Sequence, residues 1–309
     1  MPDVDALILG GGPAGLSAAL VLARALRRVA VLDGDADGVK ARSTWPQVNH
    51  NLLGWPDGLP AARLRELGRA QLCDYDSVEV IDEPAASVVG TDGGFVATTA
   101  QGRERRGRIV LLATGVEDSY PRFPGWEDYV GRSLHWCLAC DAYAARSKRL
   151  VAIGADEAAA PDALQLRRFT EDVVLVTGTT EACAVDDEHR RRLEAAGVDV
   201  VEGAVVGAEG SDGRLEALLT SDGTRVPCDE AFSLLPPVPR NGLASALGAS
   251  TDPAGFVGVD AEQRTDVPGV FAAGDLTRRH SHQLATALHE GTQAGHAMSF
   301  ALLPDELRG

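Results

Sequence analysis

Short, uninterrupted apolar runs alternate along the chain with stretches in which apolar residues recur at helical spacing. The runs Val4–Leu9 and Val29–Leu32 have the composition of strands that are buried on both faces of a parallel sheet. The stretch between them has the spacing of an amphipathic helix. The same strand–helix–strand order returns in three later segments: Leu150–Ile153, Ala158–Phe169 and Val173–Thr177. The pattern predicts an α/β fold with two βαβ units.

A glycine-rich turn follows the first predicted strand. Gly10 would allow a tight turn, Gly12 would let the backbone approach a pyrophosphate, and Gly15 would let helix and strand pack closely. The phosphates would then lie at the helix N-terminus, where N–H groups and the helix dipole favour negative charge. Asp33 ends the second strand and is placed to accept hydrogen bonds from ribose hydroxyls. The turn therefore predicts a dinucleotide site at Gly10, Gly12, Pro13, Ala14, Gly15 and Asp33.

Cys137 and Cys140 form a CxxC motif in the stretch His135–Tyr143. In a chain with five cysteines, this motif is typical of either a redox pair or half of a zinc site. A zinc site needs two more ligands, but the sequence has no second CxxC and no HxxxH nearby. A redox pair without a metal is therefore the favoured interpretation. The remaining cysteines are interpreted as buried structural thiols: Cys73, Cys183 and Cys228.

Two further apolar strands end in small residues or an acid. Arg108–Gly115 closes on Ala113, Thr114 and Gly115, and Val267–Asp275 closes on Gly274 and Asp275. Both resemble conserved pieces of the two-dinucleotide flavoprotein disulfide reductases. In those proteins the Gly-Asp carboxylate accepts a hydrogen bond from the ribityl chain of FAD. The resemblance implies that FAD is the cofactor, and that residues from both ends of the chain bind it.

The order of the segments resembles the low-molecular-weight thioredoxin reductase family over essentially the whole chain. Two Rossmann-like domains are implied. Residues 1–116 and 242–309 would form a discontinuous FAD domain, and residues 117–241 an inserted NADPH-type domain that carries the CxxC. The family resemblance also implies a homodimer.

The resemblance implies roles for individual residues of the CxxC segment. Cys137 would be the exchange cysteine, Cys140 the flavin-proximal cysteine, and Asp141 the acid that shuttles protons during exchange. A CxxC that opens a helix would also have more acidic thiols. His135, two residues before Cys137, is either a second base or a structural, hydrogen-bonded histidine.

Other segments supply candidates near the flavin or the substrate. His280 and His282 follow the Gly-Asp segment, and either one is a candidate base for substrate thiols. Asn51 lies in a loop that these flavoproteins bring across the flavin ring. Gln283 and Leu284, at the start of the next helix, would face the N1–O2 edge of the ring and stabilise its reduced, anionic form.

The second βαβ unit departs from the family's nucleotide motif. NADPH-dependent members carry GxGxxA after the strand, whereas this chain has Asp156 at the second glycine and Glu157 beside it. Acidic side chains there would repel the phosphates and lower affinity by about 10²-fold or more. The next strand is followed by Gly178-Thr179-Thr180 instead of an HRR-type cluster that holds the 2′-phosphate. We therefore expect a degenerate NADPH-type domain.

Without an NADPH site, reducing power would enter through sulfur. The chain then resembles the FAD-dependent dithiol oxidases that close the disulfides of gliotoxin, holomycin and related small natural products. This resemblance implies that a small-molecule dithiol reduces the Cys137–Cys140 pair, and that O2 finally takes the electrons and yields H2O2. One alternative is a thioredoxin-disulfide reductase fed by NADPH or ferredoxin. Another is a non-enzymatic redox or ligand-binding protein.

The composition narrows the expected partners and location. A formal net charge of −16 argues against nucleic acid and anionic membrane surfaces as partners. No apolar stretch is long enough to cross a bilayer, and the N-terminus lacks the basic region of a signal peptide. The expected location is therefore cytoplasmic.

Overall fold

A computed structural model describes residues 2–34, 40–154, 159–177, 185–278, 280–304 and 306. The chain divides into two compact units. The first unit comprises Met1–Thr44, Ala61–Glu117 and Val238–Gly309, and the second comprises Trp45–Pro60 and Asp118–Pro237.

In chain order, the strands are β1 (Val4–Leu9), β2 (Val29–Leu32), β3 (Val48–Asn49), β4 (Leu59–Pro60), β5 (Val78–Ile81), β6 (Ala85–Thr91), β7 (Gly94–Thr99), β8 (Glu104–Leu112), β9 (Val116–Glu117), β10 (Leu134–His135), β11 (Leu150–Gly154), β12 (Val173–Thr177), β13 (Val198–Glu202), β14 (Val205–Ser211), β15 (Arg214–Thr220), β16 (Arg225–Pro227), β17 (Glu230–Ser233), β18 (Val238–Pro239) and β19 (Val270–Ala272). The α-helices are α1 (Pro13–Arg24), α2 (Ala61–Leu72), α3 (Leu138–Asp141), α4 (Ala159–Leu166), α5 (Asp187–Ala195), α6 (Gly242–Leu247) and α7 (Leu284–Ala301). Short 3₁₀ turns lie at Arg42–Thr44, Trp126–Asp128 and Gly274–Thr277.

The first unit is built on a parallel sheet in the order β5–β2–β1–β8–β19. The hairpin β6–β7 extends this sheet antiparallel from the first half of β8. Helices α1 and α7 pack together through small residues, and a Cβ built on Gly291 of α7 would lie 2.1 Å from the Ala14 carbonyl oxygen. Strand order reverses between β1 and β8, which is where open α/β sheets bind ligands, outside the carboxyl ends of the strands.

The second unit has its own parallel sheet in the order β10–β17–β11–β12–β13. The predicted βαβ unit is β11–α4–β12, and β14–β15–β16 form a separate antiparallel sheet. The predicted α/β fold with two Rossmann-like domains is confirmed. CxxC follows the carboxyl end of β10, and the predicted NADPH motif follows the carboxyl end of β11.

The segment Trp45–Pro60 belongs to the second unit, whereas the sequence-based division placed it in the first part of the FAD domain. The contacts of its side chains account for the difference. The indole of Trp45 lies 6.0 Å from that of Trp126, and Gln47 donates a hydrogen bond to Asp141. Neither partner is close to this segment in sequence, so local patterns could not reveal the association.

Candidate functional site

The predicted FAD-binding segments of the first unit all follow carboxyl ends of its parallel strands. Gly10 comes directly after β1, Asp33 after β2, Ala113 after β8, and Ala273-Gly274 after β19. Because β2, β1, β8 and β19 are parallel neighbours, these segments share one edge of the sheet. This edge includes the reversal of strand order between β1 and β8, where a dinucleotide would bind.

The glycine turn after β1 has one tight side and one open side. Gly10 has φ +114°, and a Cβ there would lie 2.3 Å from the Ala113 carbonyl oxygen. A Cβ on Gly15 would lie 1.9 Å from the Gly10 carbonyl oxygen. A Cβ on Gly12 would meet no described protein atom within 4 Å. The open space at Gly12 lies at the N-terminus of α1, so the turn fits a bound pyrophosphate.

Asp33 is buried and holds the turn together. Its Oδ1 accepts a hydrogen bond of 2.9 Å from the Gly11 N–H. Its Oδ2 accepts from Arg65 Nη2 at 2.6 Å and from Arg69 Nη1 at 2.9 Å. The two arginines are one helical turn apart on α2, so both face the same carboxylate. Sequence reasoning identified Asp33 but missed both arginines. Their i,i+4 spacing on a helix could have indicated that they share one partner.

The Gly274-Asp275 turn is supported by two residues that the sequence did not single out. Asp275 Oδ2 accepts a 2.7 Å hydrogen bond from Arg42 Nη1. Glu290 of α7 is fully buried, and its Oε2 accepts a 2.8 Å hydrogen bond from the Gly274 N–H. Glu290 also pairs with Arg278. A single carboxylate in the otherwise apolar face of α7 was the sequence signal for this role.

The remaining candidates of the first unit lie around the start of α7. Gln283 is the N-cap residue of this 18-residue helix, and Leu284 is its first residue. His280 is exposed. His282 is half-buried, and its Nε2 lies 2.5 Å from the Arg278 carbonyl oxygen. Thr114 Oγ1 donates to the Arg240 carbonyl oxygen at 2.7 Å, which fixes the turn after β8.

In the second unit, Cys137 and Cys140 are joined in a disulfide at the N-terminal end of α3. Cys137 is the N-cap residue, and its Sγ accepts a 3.2 Å hydrogen bond from the Cys140 N–H. Cys140 is buried, whereas Cys137 is half-buried. Cys137 is therefore the more accessible of the two, and its role as the exchange cysteine stays a prediction.

Among the other cysteines, the interpretation as buried thiols is wrong for Cys73, which is exposed. Cys73 follows the last residue of α2, and its Sγ donates to the Arg69 carbonyl oxygen at 3.4 Å. Cys228 is buried as expected, and burial raises the pKa of its thiol to about 12. Cys183 lies outside the described residues.

A line of ionisable side chains runs from the CxxC helix to the surface of the second unit. Asp141, the residue after Cys140, is buried, and its Oδ2 lies 3.7 Å from His135 Nδ1. His135 is also buried, and its Nε2 lies 2.7 Å from Glu230 Oε2. Lys148 Nζ, which is partly exposed, donates to Glu230 Oε1 at 2.5 Å. The sequence motif identified Asp141 and His135 but not Glu230.

The two carboxyl groups in this line have pKa values shifted in opposite directions. Burial raises the pKa of Asp141, and the opposing effects of His135 and of a hydrogen bond from Gln47 do not cancel it. Burial also acts to raise the pKa of Glu230, but hydrogen bonds from His135 and Lys148 outweigh it and hold that pKa below its usual value. Glu230 therefore accepts from His135 Nε2 as a carboxylate, and Asp141 is the more easily protonated group.

Two amides of the 45–60 segment contact the CxxC helix. Gln47 Nε2 donates to Asp141 Oδ2 at 2.7 Å. Asn51 Nδ2 lies 3.5 Å from the Ala139 carbonyl oxygen and 3.8 Å from Cys140 Sγ. Sequence reasoning placed Asn51 beside the flavin ring and did not consider Gln47. Both of these contacts join Asn51 to the segment that carries the CxxC motif.

The predicted departure from the NADPH motif falls largely outside the described residues. Asp156, Glu157 and Gly178–Thr180 are not among them, so their effect on NADPH binding remains a prediction. The described flank of the motif is Gly154, the last residue of β11, where a Cβ would lie 2.1 Å from the Ala159 side chain. Ala159 stands at the third position of this motif, the position that lets helix and strand pack closely.

Comparison with known proteins places the chain in a family. A model of the pyridine nucleotide-disulphide oxidoreductases matches residues 4–291. The chain belongs to this family. Thioredoxin reductase tcpT from Claviceps purpurea (strain 20.1) is 33% identical over an alignment of 318 positions, which covers 98% of this chain and 95% of the relative. Thioredoxin reductase from Treponema pallidum (strain Nichols) is 29% identical over 300 residues, which cover 96% of each chain.

Solved structures agree with this assignment. The crystal structure of HlmI superposes with a TM-score of 0.86 at 31% identity, covering 97% of this chain and 92% of that one. Thioredoxin reductase from Streptococcus pyogenes MGAS5005 superposes with a TM-score of 0.87 at 26% identity, covering 97% and 98%. The protein is thus a thioredoxin reductase-like flavoprotein and oxidoreductase, and the prediction of FAD as its cofactor is confirmed. Among the described residues, no helix is long and apolar enough to span a membrane.

Proposed function

We propose that this flavoprotein is a dithiol oxidase that forms an intramolecular disulfide in a small-molecule dithiol of the dithiolopyrrolone or epidithio type. Cys137 and Cys140 would be the exchange pair, and O2 would be reduced to H2O2. The observation that carries the proposal is Asp156, an acidic residue where a family member that uses NADPH needs a glycine against the pyrophosphate. The Cys137–Cys140 disulfide, which is followed by the buried Asp141, also supports the proposal.

The thiol–disulfide exchange balances without an added reductant. One substrate thiolate attacks Cys137 Sγ, the Cys137–Cys140 bond breaks, and Cys140 leaves as a thiolate. The second substrate sulfur then attacks the substrate sulfur of the mixed disulfide, and Cys137 leaves. The substrate loses two electrons and two protons, and the pair gains both electrons.

Protons of the exchange would move through the groups beside the pair. Asp141 would take a proton from an incoming thiol, because burial places its pKa above that of an ordinary carboxyl. His135 would share this proton from its Nδ1 side, while its Nε2–H stays on the Glu230 carboxylate. His280 and His282 are further candidates for the base that deprotonates the substrate. The hydrogen bond of His282 to the Arg278 carbonyl favours the exposed His280 of these two.

FAD would supply a two-electron acceptor that takes electrons from the reduced pair and passes them to O2. The pyrophosphate would lie against Gly12 and the N-terminus of α1, the ribose near Asp33, and the ribityl chain near Asp275. Ala113–Gly115 and Gln283-Leu284 would complete the binding site. The homodimer and the cytoplasmic location implied by the family resemblance are part of the same proposal.

The proposal is tested with the purified holoenzyme and two reductants. Under anaerobic conditions a small dithiol such as dithiothreitol should bleach the flavin, and NADPH should not. Under air, a reduced dithiolopyrrolone or epidithio compound should be consumed with one H2O2 formed per disulfide. Cys140→Ser should abolish turnover, whereas the matched control Cys73→Ser, which removes an exposed thiol, should not. Rapid bleaching by NADPH, or no peroxide from any dithiol, would refute the oxidase.

The second candidate is a thioredoxin-disulfide reductase-like enzyme fed by NADPH or ferredoxin. The names of the curated relatives from Claviceps purpurea and Treponema pallidum favour it. It requires net electron flow from the flavin to Cys137–Cys140, opposite to that of the oxidase. NADPH- or ferredoxin-dependent reduction of oxidised thioredoxin, measured by free thiols, would establish this direction.

A further inference from the structure

The 45–60 segment reaches the dithiol site through one buried side chain, Gln47. Gln47 is 5% exposed, and its Nε2 donates to Asp141 Oδ2 at 2.7 Å. Its backbone is also confined, because a Cβ on Gly131 would lie 3.0 Å from the Gln47 nitrogen. Trp45, two residues earlier, packs on Trp126 at 6.0 Å between ring centres. The backbone around Gln47 is therefore confined by packing, and the side-chain amide is held by its hydrogen bond.

The two oxygens of Asp141 have different surroundings. Oδ2 accepts from Gln47 and lies 3.7 Å from His135 Nδ1, which is buried and has no hydrogen-bond partner among the described groups. Within the described residues, no donor contacts Oδ1. A carboxylic acid accepts a hydrogen bond better on its carbonyl oxygen than on its hydroxyl oxygen. When Asp141 is protonated, the proton is therefore expected on Oδ1.

We propose that Gln47 is a positioning residue for proton transfer at the dithiol: it holds Asp141 Oδ2 as an acceptor and leaves Oδ1 to exchange the proton. This inference rests on the proposed function, because it assigns the geometry of the acid used in that exchange. It also explains why a segment from the first quarter of the chain packs into the unit that carries the CxxC.

The ionisable groups around Asp141 determine what removing the amide would do. His135 on β10 and His50 on the 45–60 segment lower the pKa of Asp141, and Glu230 on β17 raises it. Lys148 forms an ion pair with Glu230. Burial is the largest influence and raises the pKa, and the hydrogen bond from Gln47 opposes it. Loss of the amide donor should therefore move the pKa further upward.

The experiment measures anaerobic reduction of the Cys137–Cys140 disulfide by dithiothreitol in the holoenzyme, from about pH 5 to about pH 9. The variants are Gln47→Leu and the isosteric Gln47→Glu, and each rate is divided by the wild-type rate at the same pH. Ionisation of the reductant cancels in this ratio. The matched control is Gln165→Leu, because Gln165 also donates to an aspartate, Asp162, at 3.0 Å but on the exposed surface of α4.

Removing a hydrogen bond to a charged group should make the ionisation of Asp141 about tenfold less favourable, which raises its pKa. The ratio for Gln47→Leu should then be near one at high pH and fall to about one-tenth at low pH. If the leucine variant does not fold, the rate ratio for Gln47→Glu should show the same fall. The rate ratio for the control Gln165→Leu should stay at one across the pH range. A pH-independent ratio for either folded Gln47 variant would overturn the inference.

The outcome is separate from that of the proposed function. Reduction by dithiothreitol needs no oxygen and no natural substrate, so it reports on Asp141 alone. Absence of H2O2 from the wild-type protein would refute the oxidase without touching the role of Gln47. Conversely, an oxidase whose Gln47 variants keep the wild-type pH profile would refute only the positioning role. Asp141→Asn, which removes the titrating group, should abolish the pH-dependent difference between proteins with and without Gln47.

Discussion

Two glycines of the same turn should respond in opposite ways to one added methyl group. Gly12 has φ −76° and ψ −175°, a conformation open to any residue, and its Cβ would meet no described protein atom within 4 Å. Gly12→Ala should therefore leave the apoprotein as stable as the wild type or more stable by about 0.4–1 kcal/mol, because the unfolded chain loses freedom. Gly15→Ala would place its Cβ 1.9 Å from the Gly10 carbonyl oxygen. Such overpacking costs about 1–3 kcal/mol.

The affinity for FAD should respond differently: Gly12→Ala should weaken binding directly, and Gly15→Ala only indirectly. The methyl of Gly12→Ala would occupy the space assigned to the pyrophosphate and remove a hydrogen bond of backbone to a charged group. The loss is about 1.5–3 kcal/mol, or roughly tenfold to a hundredfold in affinity. Gly15→Ala would weaken FAD binding only through the distorted turn.

The assay pairs two measurements on each variant. Urea unfolding of the apoprotein gives its free energy of unfolding, and quenching of flavin fluorescence on titration gives the FAD dissociation constant. If Gly12→Ala lowered the stability of the apoprotein as much as Gly15→Ala did, the space at Gly12 would be filled by protein. If Gly12→Ala bound FAD like the wild type, the pyrophosphate would not lie there. Either result would refute the assignment of this turn.

Two further predictions concern buried titratable groups. Because its folded pKa is raised, Asp141 favours the fold when protonated, and this contribution is lost as the pH rises through the folded pKa. Asp141→Asn should thus be more stable than the wild type at neutral pH, with the advantage vanishing in acid; urea titrations that show equal stability at both pH values would contradict this. With its pKa near 12, Cys228 is about 10⁻⁴ thiolate at pH 8. Iodoacetamide should therefore modify Cys73 in the native protein and Cys228 only after unfolding; peptide mass spectrometry that finds Cys228 modified in the native state would show that its site opens.

Local sequence patterns were sufficient to predict the parts of the site that consist of contiguous residues. The strand, glycine turn and helix from β1 to α1 are contiguous, so the order of residues along the chain was enough to assign roles to Gly10, Gly12 and Gly15. The acid at the end of β2 is also expected from its place in a βαβ unit. The CxxC motif similarly identified the disulfide and the acid that follows it.

Contacts between residues far apart in the sequence could not be predicted from local patterns. Glu230 meets His135 across 95 positions, and Gln47 meets Asp141 across 94. Glu230 begins a short buried strand and Gln47 lies in an irregular loop, so neither has a periodicity that would point to its partner. The order β10–β17 in the sheet is what brings Glu230 beside His135, and sequence order alone does not determine that pairing.

The hydrogen-bond partners of Asp33 and Asp141 differ, and they suit the two carboxylates to different roles: fixed positioning for Asp33 and proton transfer for Asp141. Asp33 is held by two guanidinium groups and a backbone N–H, which give the carboxylate a fixed position. A residue that only binds a ribose needs no more than this. Asp141 is buried against the neutral amide of Gln47, and His135 Nδ1 lies 3.7 Å from its Oδ2. A permanent cation in place of Gln47 would lock Asp141 in its charged form and leave it a poor proton carrier, because its pKa would fall far below the working pH. The neighbouring Glu230 retains the constant negative charge that His135 needs, so Asp141 is left free to gain and lose the proton of the exchange.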